Sequence, residues 1–264
     1  MRPFLLFTLW APLGSMGEVA VGERRTGFDR PAKSAVLGLV AASLGIERRE
    51  EEKHAALAER YGLALRVEAA GAILLDYHTA QVPPTRKGKS WATRREELAG
   101  RDLGTILSKR EYREEPRHTV ALWTRLGAPH RLEDLAEALR RPRFTLYLGR
   151  KSCPLGLPPA PRVIEAATLA EAFAAFDKNR PEPERRVAGR DTMWRERPHG
   201  GASRVYVDTD PRGTGEPEVA LGPGLRDDRI ERRRDLLRSR RRWQFGLREE
   251  LVSELVWQPV ESAP

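Results

Sequence analysis

Pro31-Ala-Lys-Ser-Ala-Val-Leu-Gly-Leu-Val-Ala-Ala-Ser-Leu-Gly45 reads as one helix, and the rest of the chain can be placed around it. Pro31 suits the first helical position, where the N–H that proline lacks has no partner in any case, and Gly45 suits the left-handed residue that ends a helix. Between them Val36, Leu37, Leu39, Val40 and Leu44 leave hardly any polar side, so the helix is expected to pack on more than one face. Gly38, Ala41, Ala42 and Ser43 permit close approach to a sheet. Only the first turn, with Arg30, Lys33 and Ser34, is polar. There the free backbone N–H groups, the positive end of the helix dipole and a cation converge, which is an anion site by geometry. The alternative is an ordinary buried helix with a capped, solvated start.

Composition narrows the partners. Across 264 residues Lys+Arg exceed Asp+Glu by 47 to 38, a net charge of +9 that favours a polyanion. Only Lys33, Lys53, Lys87, Lys89, Lys109, Lys151 and Lys178 are lysines, so the excess is arginine. Arginine suits bidentate phosphate contacts, and it is also what a GC-rich genome writes freely. Cys153 is the single cysteine, which excludes a disulfide framework or a thiolate metal cluster and fits a reducing cytoplasm. Met1-Arg-Pro-Phe-Leu-Leu-Phe-Thr-Leu-Trp10 has a short apolar run with no small-residue cleavage site, and reads as a first strand rather than a leader. No run is long enough for a membrane span.

Downstream of the anchor helix, an amphipathic helix is expected over about Arg49 to Tyr61, then strands over Leu63 to Glu68 and Ala72 to Thr79. From Gln81 to Pro116 the apolar rhythm fades and charges crowd in, which reads as a long, partly hairpin insertion of the kind that is commonly functional. A strand over Thr119 to Thr124, a helix over Leu132 to Arg140 and a strand through Arg143 to Leu148 complete the pattern. The order is βαββαβ, that of an α+β, ferredoxin-like unit and of the RNA-recognition fold. After the linker Leu157-Pro-Pro-Ala-Pro161 come a helix over Thr168 to Phe176, a short strand over Val205 to Asp208 and a final alternation over Leu251 to Trp257. Residues 226–242 hold nine arginines against Asp227, Asp228, Glu231 and Asp235, either a nucleic-acid contact or a solvated helix laced with ion pairs.

Several chemistries drop out. Gly88-Lys-Ser90 resembles the end of a P-loop, but Pro83 stands where that loop needs a glycine. The five histidines (54, 78, 118, 130 and 199) have no metal-ligand spacing, so neither metal nor cofactor is expected. Two stretches point instead to RNA. Asp76-Tyr-His-Thr79 ends a strand with groups that stack on a base or bond to ribose, and Tyr147-Leu-Gly-Arg-Lys-Ser-Cys-Pro154 puts two cations and a hydroxyl after a glycine that lets backbone approach a sugar-phosphate chain. Their bland alternatives are a satisfied edge-strand histidine and a surface turn.

Pro31 to Leu39 with Ala42-Ser-Leu-Gly-Ile46, then Asp76-Tyr-His-Thr79, then Thr119-Val-Ala-Leu-Trp123, then Tyr147 to Leu155, together resemble the CasD-type subunit of the type I-E CRISPR Cascade, the Cas-five family of the RAMP superfamily. The resemblance covers residues 1 to about 160 and rests on several motifs in order; the tail is more arginine-rich than the family pattern. It implies a RAMP domain over 1–160 with a thumb at about 81–116, followed by a smaller, partly β region over 161–264. It further implies a non-catalytic, cytoplasmic subunit that grips the 5′ handle of the CRISPR guide RNA, caps the backbone of the antiviral complex, meets the backbone and large subunits, and serves target DNA indirectly, with no membrane.

On that basis Arg24, Arg25, Lys33, Ser34, Arg150, Lys151 and Ser152 are expected at phosphates, and Tyr77, His78 and Tyr147 at bases or ribose. Arg86, Lys87, Lys89, Trp91, Lys109, Arg110 and Tyr112 are expected on the thumb. Two rivals remain open: a metal-independent endoribonuclease processing CRISPR repeat RNA, with His78, Tyr112 and Lys109 as its catalytic groups, and a free-standing RNA-binding protein.

Overall fold

The computed structural model describes residues 1–17, 22–84, 90–100, 102–178 and 202–256. In chain order the elements are β1 (Arg2–Trp10), β2 (Leu13–Gly14), β3 (Arg24–Arg25), α1 (Lys33–Leu44), α2 (Glu51–Arg60), β4 (Tyr61–Ala69), β5 (Ala72–Val82), α3 (Arg94–Glu97), β6 (Gly104–Glu114), β7 (Arg117–Thr124), α4 (Leu132–Arg140), β8 (Arg162–Ala166), α5 (Leu169–Lys178), β9 (Ala202–Asp208), β10 (Leu225–Ser239) and β11 (Gln244–Val256). They form an α+β fold with two sheets.

The larger sheet has seven strands in the order β10-β11-β9-β4-β7-β1-β8. Its strand β1, between β7 and the edge strand β8, is an unbroken apolar run because both of its faces are covered. Leu5, Phe7 and Leu9 meet Val36, Val40 and Leu135 of α1 and α4, whereas Phe4 and Leu6 join Phe173 and Phe176 of α5 in a second core. The alternation is the period of two that a strand imposes. Strands β4, β7, β1 and β8 are each antiparallel to their neighbours, with α1 after β1 and α4 after β7, an arrangement consistent with a ferredoxin-like domain.

The closing strand of that unit is not Arg143 to Leu148 but β8, which pairs with β1. Leu146 and Leu148 are buried, as their alternation suggests, but Arg143 and Phe144 donate their N–H groups to Ser43 and Ala42 at the end of α1 rather than to a strand. The larger sheet therefore runs through the chain on both sides of the 157–161 linker.

The smaller sheet holds β5 and β6 paired from Ala72↔Glu114 to Val82↔Gly104, with β2 and β3 on the other edge of β6. The strand expected over Ala72 to Thr79 thus belongs to the insertion between β4 and β7, not to the core sheet. Its side chains explain why: Ile73, Leu75 and Tyr77 are exposed.

Residues 225–239 are likewise strand rather than solvated helix, one arm of a hairpin with β11. Arg233 and Asp235 are buried while Arg232 and Arg234 are exposed, the alternation of a strand written in charged residues. Among the described residues no helix is long and apolar enough to cross a membrane.

Candidate nucleic-acid interface

The start of α1, expected to hold an anion, is filled by the protein's own carboxylates. Ala32 is the N-cap and offers no side-chain hydrogen bond, and Pro31 lies one residue before it. The backbone N–H of Lys33 donates instead to Asp235 Oδ2 at 2.8 Å, and its ammonium is buried against Asp208. Burial lowers the Lys33 pKa, with Asp208 opposing the shift. Lys33 is therefore a structural cation and not a phosphate ligand. The other end of α1 follows the sequence: Gly45 takes φ 79°, and the N–H groups of Gly45 and Ile46 return to Ala42 and Ala41.

The turn 147–154 is held on two sides. Leu148 donates its N–H to Cys153 O at 2.8 Å and accepts from Ser15 N at 3.0 Å. At Gly149, with φ 91°, an added Cβ would lie 1.7 Å from Ser15 O, so only glycine allows this approach. The turn presents Arg150, whose guanidinium lies 4.6 Å from the centroid of the Tyr112 ring, while Lys151 and Ser152 are exposed. Arg150 Nη1 is buried without a hydrogen-bond partner.

Between α1, this turn and the tip of the β10–β11 hairpin runs an open groove of about 610 Å³. Of the residues expected at RNA it gathers Arg25, Ser34, Tyr147 and Arg150. It adds Arg234 and Arg240, from the 226–242 segment read as either a nucleic-acid contact or a solvated helix, and Trp243 and Phe245, which the sequence reading missed because it counted charge alone. The signal was present in Arg240-Arg-Arg-Trp-Gln-Phe245, cations followed at once by aromatics. Among the described residues Arg25, Arg150, Arg234 and Arg240 make no ion pair. Burial and the nearby Arg48 both disfavour the charge on Arg240. Four guanidinium groups without ion pairs around one open groove can take a chain of anionic groups, and the aromatics beside them can stack on planar ones.

The remaining expected residues lie on the β5–β6 pair and its edge. Arg24 is exposed and 3.8 Å from Glu111, and Tyr77 is exposed opposite Lys109. His78 lies 3.8 Å from Asp76, and Arg110 Nε donates to Ser108 Oγ at 3.1 Å. Trp91 is half-buried just before α3. Arg86, Lys87 and Lys89 lie outside the described residues. The three groups named for a nuclease are not brought together. His78 pairs with Ser108 and Leu74 with Tyr112, so His78 and Tyr112 share a face four residues apart along the ladder, whereas Lys109, opposite Tyr77, is on the other face.

A family model described as CRISPR-associated protein (Cas_Cas5) matches residues 4–249. The chain is 36% identical over 160 residues to the CRISPR system Cascade subunit CasD of Escherichia coli (strain K12), an alignment covering 60% of this chain and 70% of that protein. Two solved structures share the fold. One is a CRISPR RNA-guided surveillance complex, with a TM-score of 0.57, 20% identity and coverage of 98% of this chain and 95% of the other. The second, a Cas protein crystal structure, has a TM-score of 0.59, 23% identity and coverage of 96% and 95%. Matched from β1 into β11, the chain belongs to the Cas5 family of CRISPR-associated proteins, the RAMP-superfamily group of type I systems that includes the Cascade subunit CasD.

Proposed function

We propose that this chain is the non-catalytic type I-E Cascade subunit that holds the 5′ handle of the guide RNA in the groove between α1, the 147–154 turn and the β10–β11 tip, and caps one end of the backbone. The observation that carries this is the set of four arginines without ion pairs around the groove, combined with membership of the family. A single strand needs cations along its phosphates and planar groups against its bases, and Tyr147 with the groove arginines supplies both. The β5–β6 pair acts as the thumb in this reading. Its exposed Ile73, Leu75 and Tyr77 share one face and suit contact with the adjacent backbone subunit.

In the assembled complex the handle should resist added nuclease. The double variant Arg150→Glu/Lys151→Glu should expose it, because a cation lining the groove and its exposed neighbour become two anions. Protection unchanged in the double variant would place the handle elsewhere.

A further inference from the structure

We propose that the tip of the β10–β11 hairpin is a base-stacking subsite for single-stranded RNA, with Trp243 as the platform, Phe245 at its edge, and Arg234 and Arg240 on the flanking phosphates. The proposal rests on the groove being the RNA channel, and it assigns a part of that channel outside the motifs that carry the family resemblance.

Trp243 is 54% exposed and belongs to neither hydrophobic core, yet it is held firmly. Its backbone sits at φ 57°, a conformation that bulky side chains rarely adopt. Around it the hairpin tip is tied to the start of α2. Arg48 donates to Arg240 O at 3.1 Å and to Arg241 O at 3.2 Å, and Glu51 accepts from Ser239 Oγ at 2.8 Å and from the Arg241 N–H at 2.5 Å. A large aromatic kept in a costly conformation, outside the core and facing an open groove, is a surface prepared for a ligand. The ligand's chemistry follows from the neighbours. Phe245 meets the indole edge-on, with centroids 5.7 Å apart and an interplanar angle of 86°, and both rings line the groove. Two guanidinium groups lie on the indole: Arg48, tied to the Arg240 and Arg241 carbonyls, at 4.8 Å from its centroid, and Arg240, with no carboxylate partner among the described residues, at 4.5 Å. A phosphate entering the groove would draw the Arg240 guanidinium toward itself and leave indole surface to the attached base. Flat apolar surface beside uncompensated cations is the pattern that single-stranded nucleic acid fits, whatever its sequence.

The test uses the full chain and a labelled single-stranded RNA with the sequence of the guide's 5′ handle. Trp243→Ala should weaken binding about tenfold while leaving the slope of log affinity against log salt unchanged, since it removes no phosphate contact. Trp243→Phe should restore most of the loss, and Arg234→Gln should reduce the slope by about one. An abasic scan of the RNA on the unaltered protein, which does not depend on how any variant folds, should show one position where losing the base costs about tenfold. That position should become silent in Trp243→Ala. No such position in the scan, or Trp243→Ala binding as tightly as the parent while Arg150→Glu binds weakly, would remove the subsite and leave the groove assignment standing. If the unaltered protein does not bind the RNA, both fall together.

Discussion

His118 shows how one buried side chain can set the response of the whole protein to acid. It sits on β7 with no solvent exposure, and its Nε2 lies 3.0 Å from the Asp29 carbonyl oxygen. Burial pushes its pKa down from 6.5 to about 4, against the opposing pull of Asp29 and Glu68 and with help from Arg233. Between those two pH values the unfolded chain accepts a proton that the folded ring refuses. Stability therefore rises with pH across the window and is lost as pH falls from 6.5 toward 4, by up to about 3 kcal/mol. His118→Gln should lose that much less over the same range, read from urea unfolding at each pH. Equal losses in the two proteins would show that the ring is protonated in the fold. Single residues were the least legible part of the sequence. Lys33 had every mark of a phosphate ligand, but a sequence does not display that Asp208, 175 positions away, neutralises it. Arg150, by contrast, lines the groove on a turn whose backbone the preceding glycine fixes.

Elements were legible wherever apolar periodicity reported burial. Helices α1, α2, α4 and α5 and strands β1, β4 and β7 were all placed within a few residues of their observed bounds, since each presents apolar side chains to one of the two cores. The failures have two causes. Strand β10 buries Arg233 and Asp235, and β11 buries Glu250, so the period of two was written in charges that read as surface. The Arg143 to Leu148 segment has a strand's alternation, but its backbone hydrogen bonds go to the end of a helix. The turn 147–154 belongs to the legible group, and a mutation tests it as a unit. Gly149→Ala adds a methyl where Ser15 O already stands, at a left-handed φ of 91°. The turn must move away from β2 or distort, at a cost of roughly 2 to 4 kcal/mol. Because the same turn carries Arg150, RNA affinity should fall with stability. A Gly149→Ala protein that melts like the parent would show that this close approach does not constrain the turn.

At the scale of the whole molecule, buried ions join the C-terminal strands to the N-terminal helix. Asp208 on β9 is the centre of this layer: it accepts from Arg248 of β11 at 2.8 Å, from Arg125 beyond β7 at 3.3 Å, from the Leu63 N–H of β4 at 3.1 Å, and from Lys33 of α1. Arg248 continues to Asp235 at 2.9 Å and to Glu250 at 2.7 Å, and Arg30 reaches Glu250 at 2.5 Å. The groove depends on this layer, since one of its walls is the β10–β11 hairpin and another is α1. Such a network is weak evidence for net stability, because desolvating each ion offsets much of the attraction, but removing one partner leaves the others buried without compensation. Asp208→Asn keeps the shape and two hydrogen-bonding positions yet strands Lys33, Arg125 and Arg248 beside a neutral group. We expect a loss of about 3 to 5 kcal/mol in urea unfolding near neutral pH. Adding Lys33→Met should return part of it, because the most deeply buried of the three cations is then gone. The two losses would not add, as expected for side chains that share one interaction. A loss below about 1 kcal/mol in the single variant, or full additivity in the double, would mean that water or rearrangement compensates these charges and that the hairpin is held to α1 by something other than its ions.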